Sequence, residues 1–201
     1  MRHLILLVFS LLFFINTYSQ KFEGGAFIGV VGAQIDGDQY AGYNKPGLTF
    51  GGFVAYPFGD RFWLQTEMKL IMKGATRPAP VGVLPYSVSL YYFEMPYIGR
   101  YKLTKQIFLE AGLTIAFLAY SVNDLGEGPI APDPPFNKTD FNILSGLYYA
   151  FNDHISINLR FQYSIIPVRG KPVSPFNYWN NNQYNNMLSM SLYYSPKLKK
   201  N

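Results

Sequence analysis

Over residues 155–166 the chain reads ISINLRFQYSII, and its apolar and polar positions alternate. Ile155, Ile157, Leu159, Phe161, Tyr163 and Ile165 share one face, and Ser156, Asn158, Arg160, Gln162 and Ser164 share the other. A period of two sustained this far predicts a β-strand with one greasy and one wet side. A soluble sandwich produces the same alternation, so the neighbouring segments have to decide between them.

Eight such segments can be marked. The first, 22–32, is glycine-rich, with Glu23 opposite Ala26, Ile28 and Val30. The polar stretch 33–47 follows, with Asp-Gly and Pro-Gly turn signals. The second segment, 48–58, turns through Gly59-Asp60-Arg61 into the third, 62–74. There Leu64, Met68, Leu70 and Met72 oppose Gln65, Glu67, Lys69 and Lys73. A proline-bearing loop near 78–85 leads to the fourth, 90–103, where Tyr91, Phe93, Met95, Tyr97 and Tyr101 alternate with Glu94, Arg100 and Lys102. Pro96 cannot donate to a ladder, so a bulge or weakened pairing is expected at that point.

The fifth segment, 107–122, follows Thr104-Lys105-Gln106 and sets Leu109, Ala111, Leu113, Ile115 and Phe117 against Glu110 and Thr114. A long loop, 123–140, carries four prolines. The sixth, 141–151, turns at Asn152-Asp153-His154 into the seventh, and an asparagine-rich loop precedes the eighth, 187–196. Connections thus alternate long and short, which is the pattern of tight periplasmic turns and long outer loops. A lipocalin-like soluble barrel would place its greasy face inward and its charges outward. The expected fold is all-β: an eight-stranded antiparallel up-and-down transmembrane β-barrel with short periplasmic turns and long extracellular loops.

Composition sharpens this picture. Charged residues make up 14% of the 201-residue chain, below the roughly one quarter usual in soluble domains. Aromatics reach 18%, with 17 tyrosines and 17 phenylalanines, as interfacial girdles require. At the start, Arg2 and His3 precede an apolar run over 4–15 and a small-residue site at Thr17-Tyr18-Ser19. That is the pattern of a signal peptide over 1–19, leaving 20–201 as the barrel domain. A retained N-terminal anchor is the alternative, and the run is short for a spanning helix. These features address the chain to the cell outer membrane, with outer-membrane lipid around it.

Removing Arg2 with the leader lowers the net charge from +5 to +4. The cations are scattered apart from Lys197, Lys199 and Lys200, a solvated tail with no nucleic-acid role. There is no cysteine, which excludes disulfides, thiol catalysis and thiolate metal sites.

An eight-stranded barrel is just wide enough for its own side chains to fill it. Its inward positions carry Glu23, Glu67, Glu94 and Glu110 against Lys69, Lys73, Arg100, Lys102 and Arg160. Near-balanced charge in a narrow lumen favours a structural ion-pair network, because an unpaired buried charge is costly; a proton or ion path is the functional alternative. Centring the hairpin on Lys105 places Arg100 opposite Glu110 as a cross-strand ion pair. Centring the next on Asp153 places Arg160 opposite Gly146, where a missing side chain leaves room for a guanidinium.

Chemistry beyond this is sparse. His154 sits in a turn, with Asp153 and Ser156 beside it, but no Gly-x-Ser-x-Gly elbow accompanies them. Asp36-Gly37-Asp38 lacks the spaced ligands of a calcium loop. No phosphate-binding glycine loop is seen, and no cofactor or metal site is expected. Phe176, Tyr178, Trp179 and Tyr184 fit either a glycan or protein contact or the headgroup layer.

Three stretches carry a family likeness. They are AQIDGD at 33–38 running into GYNKPG at 42–47, then YFEMPY at 92–97 with Arg100-Tyr101-Lys102, then FLEAG at 108–112. This order resembles the PorT-like family of outer-membrane β-barrel proteins. The resemblance implies an eight-stranded barrel and a role similar to accessory components of type IX protein secretion. The chain departs from the common barrel ending on an aromatic, because Ser195-Pro196 and a basic tail follow Tyr193-Tyr194. The expected function is therefore a non-enzymatic accessory or scaffold of envelope assembly or secretion, with loops for secretion or envelope partners. A narrow channel for ions or very small solutes is the alternative, ahead of a barrel-embedded lipid hydrolase or acyltransferase.

Overall fold

The computed structural model describes residues 22–38, 42–77, 86–124, 126, 128–170 and 182–196. The leader, the tail lysines 197, 199 and 200, the proline loop 78–85 and the aromatics at 176, 178 and 179 lie outside these residues.

The described residues form ten strands: β1 (Glu23–Asp36), β2 (Lys45–Phe58), β3 (Phe62–Arg77), β4 (Tyr86–Lys102), β5 (Ile107–Asp124), β6 (Pro129–Ile130), β7 (Thr139–Ala150), β8 (Ile155–Ser164), β9 (Arg169–Gly170) and β10 (Asn182–Tyr194). Each long strand pairs antiparallel with the next, and β1 pairs with β10 from Ala26↔Tyr194 to Asp36↔Tyr184. The result is a closed eight-stranded barrel with no free edge. The two-residue strands β6 and β9 only extend β5 and β10 at the long-loop end.

The three short turns are chemically determined. Gly59, at φ +77°, turns β2 into β3 in a conformation that side chains resist. Thr104 Oγ1 accepts from the amides of Gln106 and Ile107, and Asn152 Oδ1 accepts from those of His154 and Ile155. Both are side-chain-mimicked turns.

Alternation places Ile28, Leu48, Met68, Leu113 and Leu159 on the outside. Met68 at 60% exposure, beside Glu67 at 1%, shows which side faces lipid. Tyr56, Phe62, Tyr97, Tyr101 and Tyr149 ring the short-turn end of the outer surface.

Several strands run further at the long-loop end than their sequence suggests. β1 continues to Asp36, β2 begins at Lys45, β3 runs to Arg77, β4 begins at Tyr86 and β10 at Asn182. In β1 and β4 the alternation is inverted there. There Ala33, Ile35, Val88 and Leu90 point inward and are buried, while Gln34, Asp36, Ser87 and Ser89 take the other face. Beyond the hydrocarbon the outer surface meets water, so the polar face changes sides.

Pro96 does interrupt pairing. The β3–β4 ladder passes from Thr66↔Tyr97 to Lys69↔Glu94, skipping Met95 and Pro96. The bulge itself lies elsewhere: Tyr91 faces Tyr120 while Tyr92 faces Leu118, leaving Ala119 as the extra residue of β5.

Three layers fill the interior. Phe27, Phe53, Tyr148 and Tyr193, with Phe108 against them, form an aromatic layer at the short-turn end. A charged layer lies in the middle. Val31, Ala33, Ile35, Ile71, Val88, Leu90 and Met187 fill the long-loop end, together with Phe136 and Val168. The polar filling expected from the sequence is interleaved with these apolar groups: Arg100 and Ser156 are buried at the short-turn end and Gln183 and Asn185 at the long-loop end.

Candidate functional site

The charged layer is built from inward positions of five strands. Arg160, on β8, donates from Nη1 and Nη2 to Glu67 on β3 at 2.8 and 2.9 Å. Its Nε and Nη2 donate to Glu110 on β5 at 2.7 and 3.2 Å. A planar guanidinium can serve two carboxylates at once because its donors form a fixed fork. Glu67 also accepts from Tyr193 Oη at 2.8 Å and Gln65 Nε2 at 2.6 Å.

A second cluster surrounds Glu94 on β4. Lys69 and Lys73 approach it at 3.1 and 2.7 Å, and Gln162 Nε2 donates to both of its oxygens at 3.1 and 3.2 Å. Lys73 reaches Asp140 at 3.4 Å and Asn142 at 3.2 Å. Asn185 Nδ2 donates to Asp140 at 2.9 Å. Among the described residues the buried ionic groups are Glu67, Glu94, Glu110 and Asp140 against Lys69, Lys73, Arg100 and Arg160. That is charge balance, and it matters because every one of these groups has lost most of its water.

The residues marked in the sequence divide as follows. Glu67, Lys69, Glu94, Glu110 and Arg160, with Lys73, come together in ion pairs. Glu23 is exposed at the start of β1, away from the buried charges. Lys102 is half-buried at the short-turn rim, its Nζ 5.8 Å from the ring centre of Trp63.

Arg100 does lie opposite Glu110 in register, yet the expected ion pair between them is absent. Glu110 turns to Arg160 instead, and Arg100 stacks over Tyr148 at 4.7 Å and Phe108 at 6.0 Å. Register fixes which backbones are neighbours, but a long guanidinium arriving across Gly146 competes for the carboxylate and holds it with two bonds. Gly146 is opposite Arg160, and a Cβ there would come within 2.7 Å of Glu110 Oε1.

Asp140 was missed by sequence reading because it appeared as the last residue of a proline-rich loop. Its parity with Asn142 and Leu144, all three buried, was the available signal. Tyr148 and Tyr193 were missed as interior groups because an aromatic near a strand end reads first as a girdle residue.

The remaining motifs are structural in their contacts. His154 Nδ1 lies 2.9 Å from the Ser195 carbonyl oxygen, and its ring stacks on Tyr194. The Ser156 hydroxyl is hydrogen-bonded to Tyr148 Oη inside the barrel, so no triad forms. Asp36 accepts from Gln34 at 2.7 Å and Asn186 at 3.1 Å. Tyr43, in the loop after β1, donates to Asn186 Oδ1 at 2.8 Å; partial burial, then the charge of Asp36, raises its phenol above the ordinary value. Tyr184 stacks on Tyr163 with centroids 6.1 Å apart. Among the described residues no group of three or more His, Cys, Asp or Glu is placed to hold a metal ion.

The fold has solved counterparts. The attachment invasion locus protein Ail of Yersinia pestis is similar at a TM-score of 0.51 and 12% identity, covering 88% of this chain and 100% of that one. Neisserial surface protein A is similar at 0.51 and 16%, covering 88% and 98%. At such identities the likeness shows the architecture alone. No curated protein matches the chain. The family model described as "Outer membrane protein beta-barrel domain" matches residues 15–169. With most of its length in that match and its strands closed around a filled interior, the chain belongs to this family of outer-membrane β-barrels and is an integral protein of the outer membrane.

Proposed function

We propose that this barrel is a non-enzymatic accessory or scaffold of envelope assembly or protein secretion, PorT-like in role, acting through its rims. The observation that carries this reading is the filled interior. An aromatic layer, a neutralised ionic layer and an apolar layer leave the turns and loops as the parts with freedom to meet a partner. The order of motifs at 33–47, 92–102 and 108–112 supports the secretion assignment. Outer-membrane lipid surrounds the belt, and secretion or envelope proteins are the partners sought.

A narrow channel is opposed by the same packing, since ions would have to cross two apolar layers. A lipid hydrolase or acyltransferase is opposed by the engagement of His154 with the Ser195 carbonyl and of Ser156 with Tyr148.

The test is the surface and secreted proteome of a deletion strain beside the restored strain. Specific proteins accumulating in the periplasm are the expected result. Unchanged export would remove the secretion role. Purified protein in a planar bilayer should be electrically silent; discrete conductance steps would return the channel reading to first place.

A further inference from the structure

We propose that the short-turn mouth of the barrel binds an oxyanion, a carboxylate or phosphate, presented from the periplasmic side against aromatic walls. The inference stands apart from the secretion role and needs none of it.

Arg100 is the key residue. Among the described residues, Lys69, Lys73 and Arg160 are each ion-paired with carboxylates. Arg100 is the buried cation that has no such pair. It is 4% exposed, and its Nε has no hydrogen-bond partner. Its register partner Glu110 is held by Arg160. Aromatic faces offset the cost of burying a guanidinium only in part, and the strong partner of a guanidinium is a planar or tetrahedral oxyanion.

The surroundings are aromatic. Tyr148 and Phe108 flank the guanidinium, and Trp63 packs edge-on against Phe108 at 5.3 Å. Lys102 extends over the Trp63 ring, adding a second cation at the rim. These residues come from the first residues of β3 and β5 and the last of β4 and β7, where the strands meet the short connections. The rim around it is of mixed charge, with Arg61 and Lys105 exposed beside Asp60, Asp153 and Glu23, so the buried guanidinium, and not the rim, is what would hold an anion.

Replacing Trp179 with Phe leaves Trp63 as the sole tryptophan of the two in the chain, so its emission reports on the mouth. In neutral maltoside micelles at constant ionic strength, sodium benzoate and inorganic phosphate are titrated against chloride. A saturable change with either anion is expected, about tenfold weaker in Arg100→Gln. Lys102→Gln, a change at the rim that leaves the core intact, should weaken it by a smaller factor. A second arm compares nanodiscs of phosphatidylcholine with and without phosphatidylglycerol. A Trp63 shift confined to the anionic discs, with soluble anions unable to add to it, would support the site and name a lipid headgroup as the source. No response in either arm would overturn the site. So would a response equal in the parent and in both variants.

Discussion

Gly146 on β7 faces Arg160 on β8, and its missing side chain is the space through which Glu110 meets the guanidinium. A Cβ at position 146 would sit 2.4 Å from the Leu159 carbonyl oxygen and 2.7 Å from Glu110 Oε1. Gly146→Ala should therefore destabilise the folded barrel by about 1–3 kcal/mol, read by urea unfolding in lipid or detergent. Gly170→Ala, where an added Cβ meets nothing within 4 Å, should leave the midpoint unchanged. Equal effects at both sites would mean that strand propensity, not the crowding at Glu110, governs position 146.

Arg160→Met should cost about 3–5 kcal/mol, because it strands Glu67 and Glu110 in an interior without water. Adding Glu67→Gln and Glu110→Gln should recover much of that loss. The same unfolding titration checks both, and a triple variant no more stable than Arg160→Met alone would contradict the charge-balance account.

A double-mutant cycle separates register from contact. Arg100 and Glu110 are neighbours in the ladder, but Glu110 bonds Arg160. The Glu110/Arg160 cycle should show a coupling above about 1 kcal/mol, and the Arg100/Glu110 cycle should be additive within about 0.5 kcal/mol. The reverse ranking would reinstate the cross-strand pair.

The long-loop end is closed by chain that returns to it. Phe136 packs into the apolar layer beneath Arg169, whose guanidinium lies 4.2 Å from its ring centre. Asn137 N donates to the Val168 carbonyl and Val168 N to that of Gln183, each at 2.8 Å. Phe136→Ser should free residues 129–138, so that protease added from outside cuts there while the strands stay protected. An uncut loop would show that the backbone bonds suffice without the ring.

The long strands, their order and their inside–outside sense within the lipid belt are legible in the amino-acid sequence. Lipid imposes a simple rule there, apolar out and polar in, and strands obeying it can be read one residue at a time. It also gave the register of two hairpins, Arg100↔Glu110 and Gly146↔Arg160, because a tight turn ties pairing to position. Beyond the belt the rule reverses in β1, and Ala33 and Ile35 passed for loop although each is a buried strand residue. Partner choice inside was decided by tertiary structure alone. Glu67 and Arg160 stand 93 residues apart in sequence and on strands that are not neighbours in the sheet. A lumen brings opposite walls within the reach of one side chain, so long groups such as Arg160 and Lys73 select among carboxylates by geometry across the barrel. That choice depends on closure, which no local stretch of sequence contains.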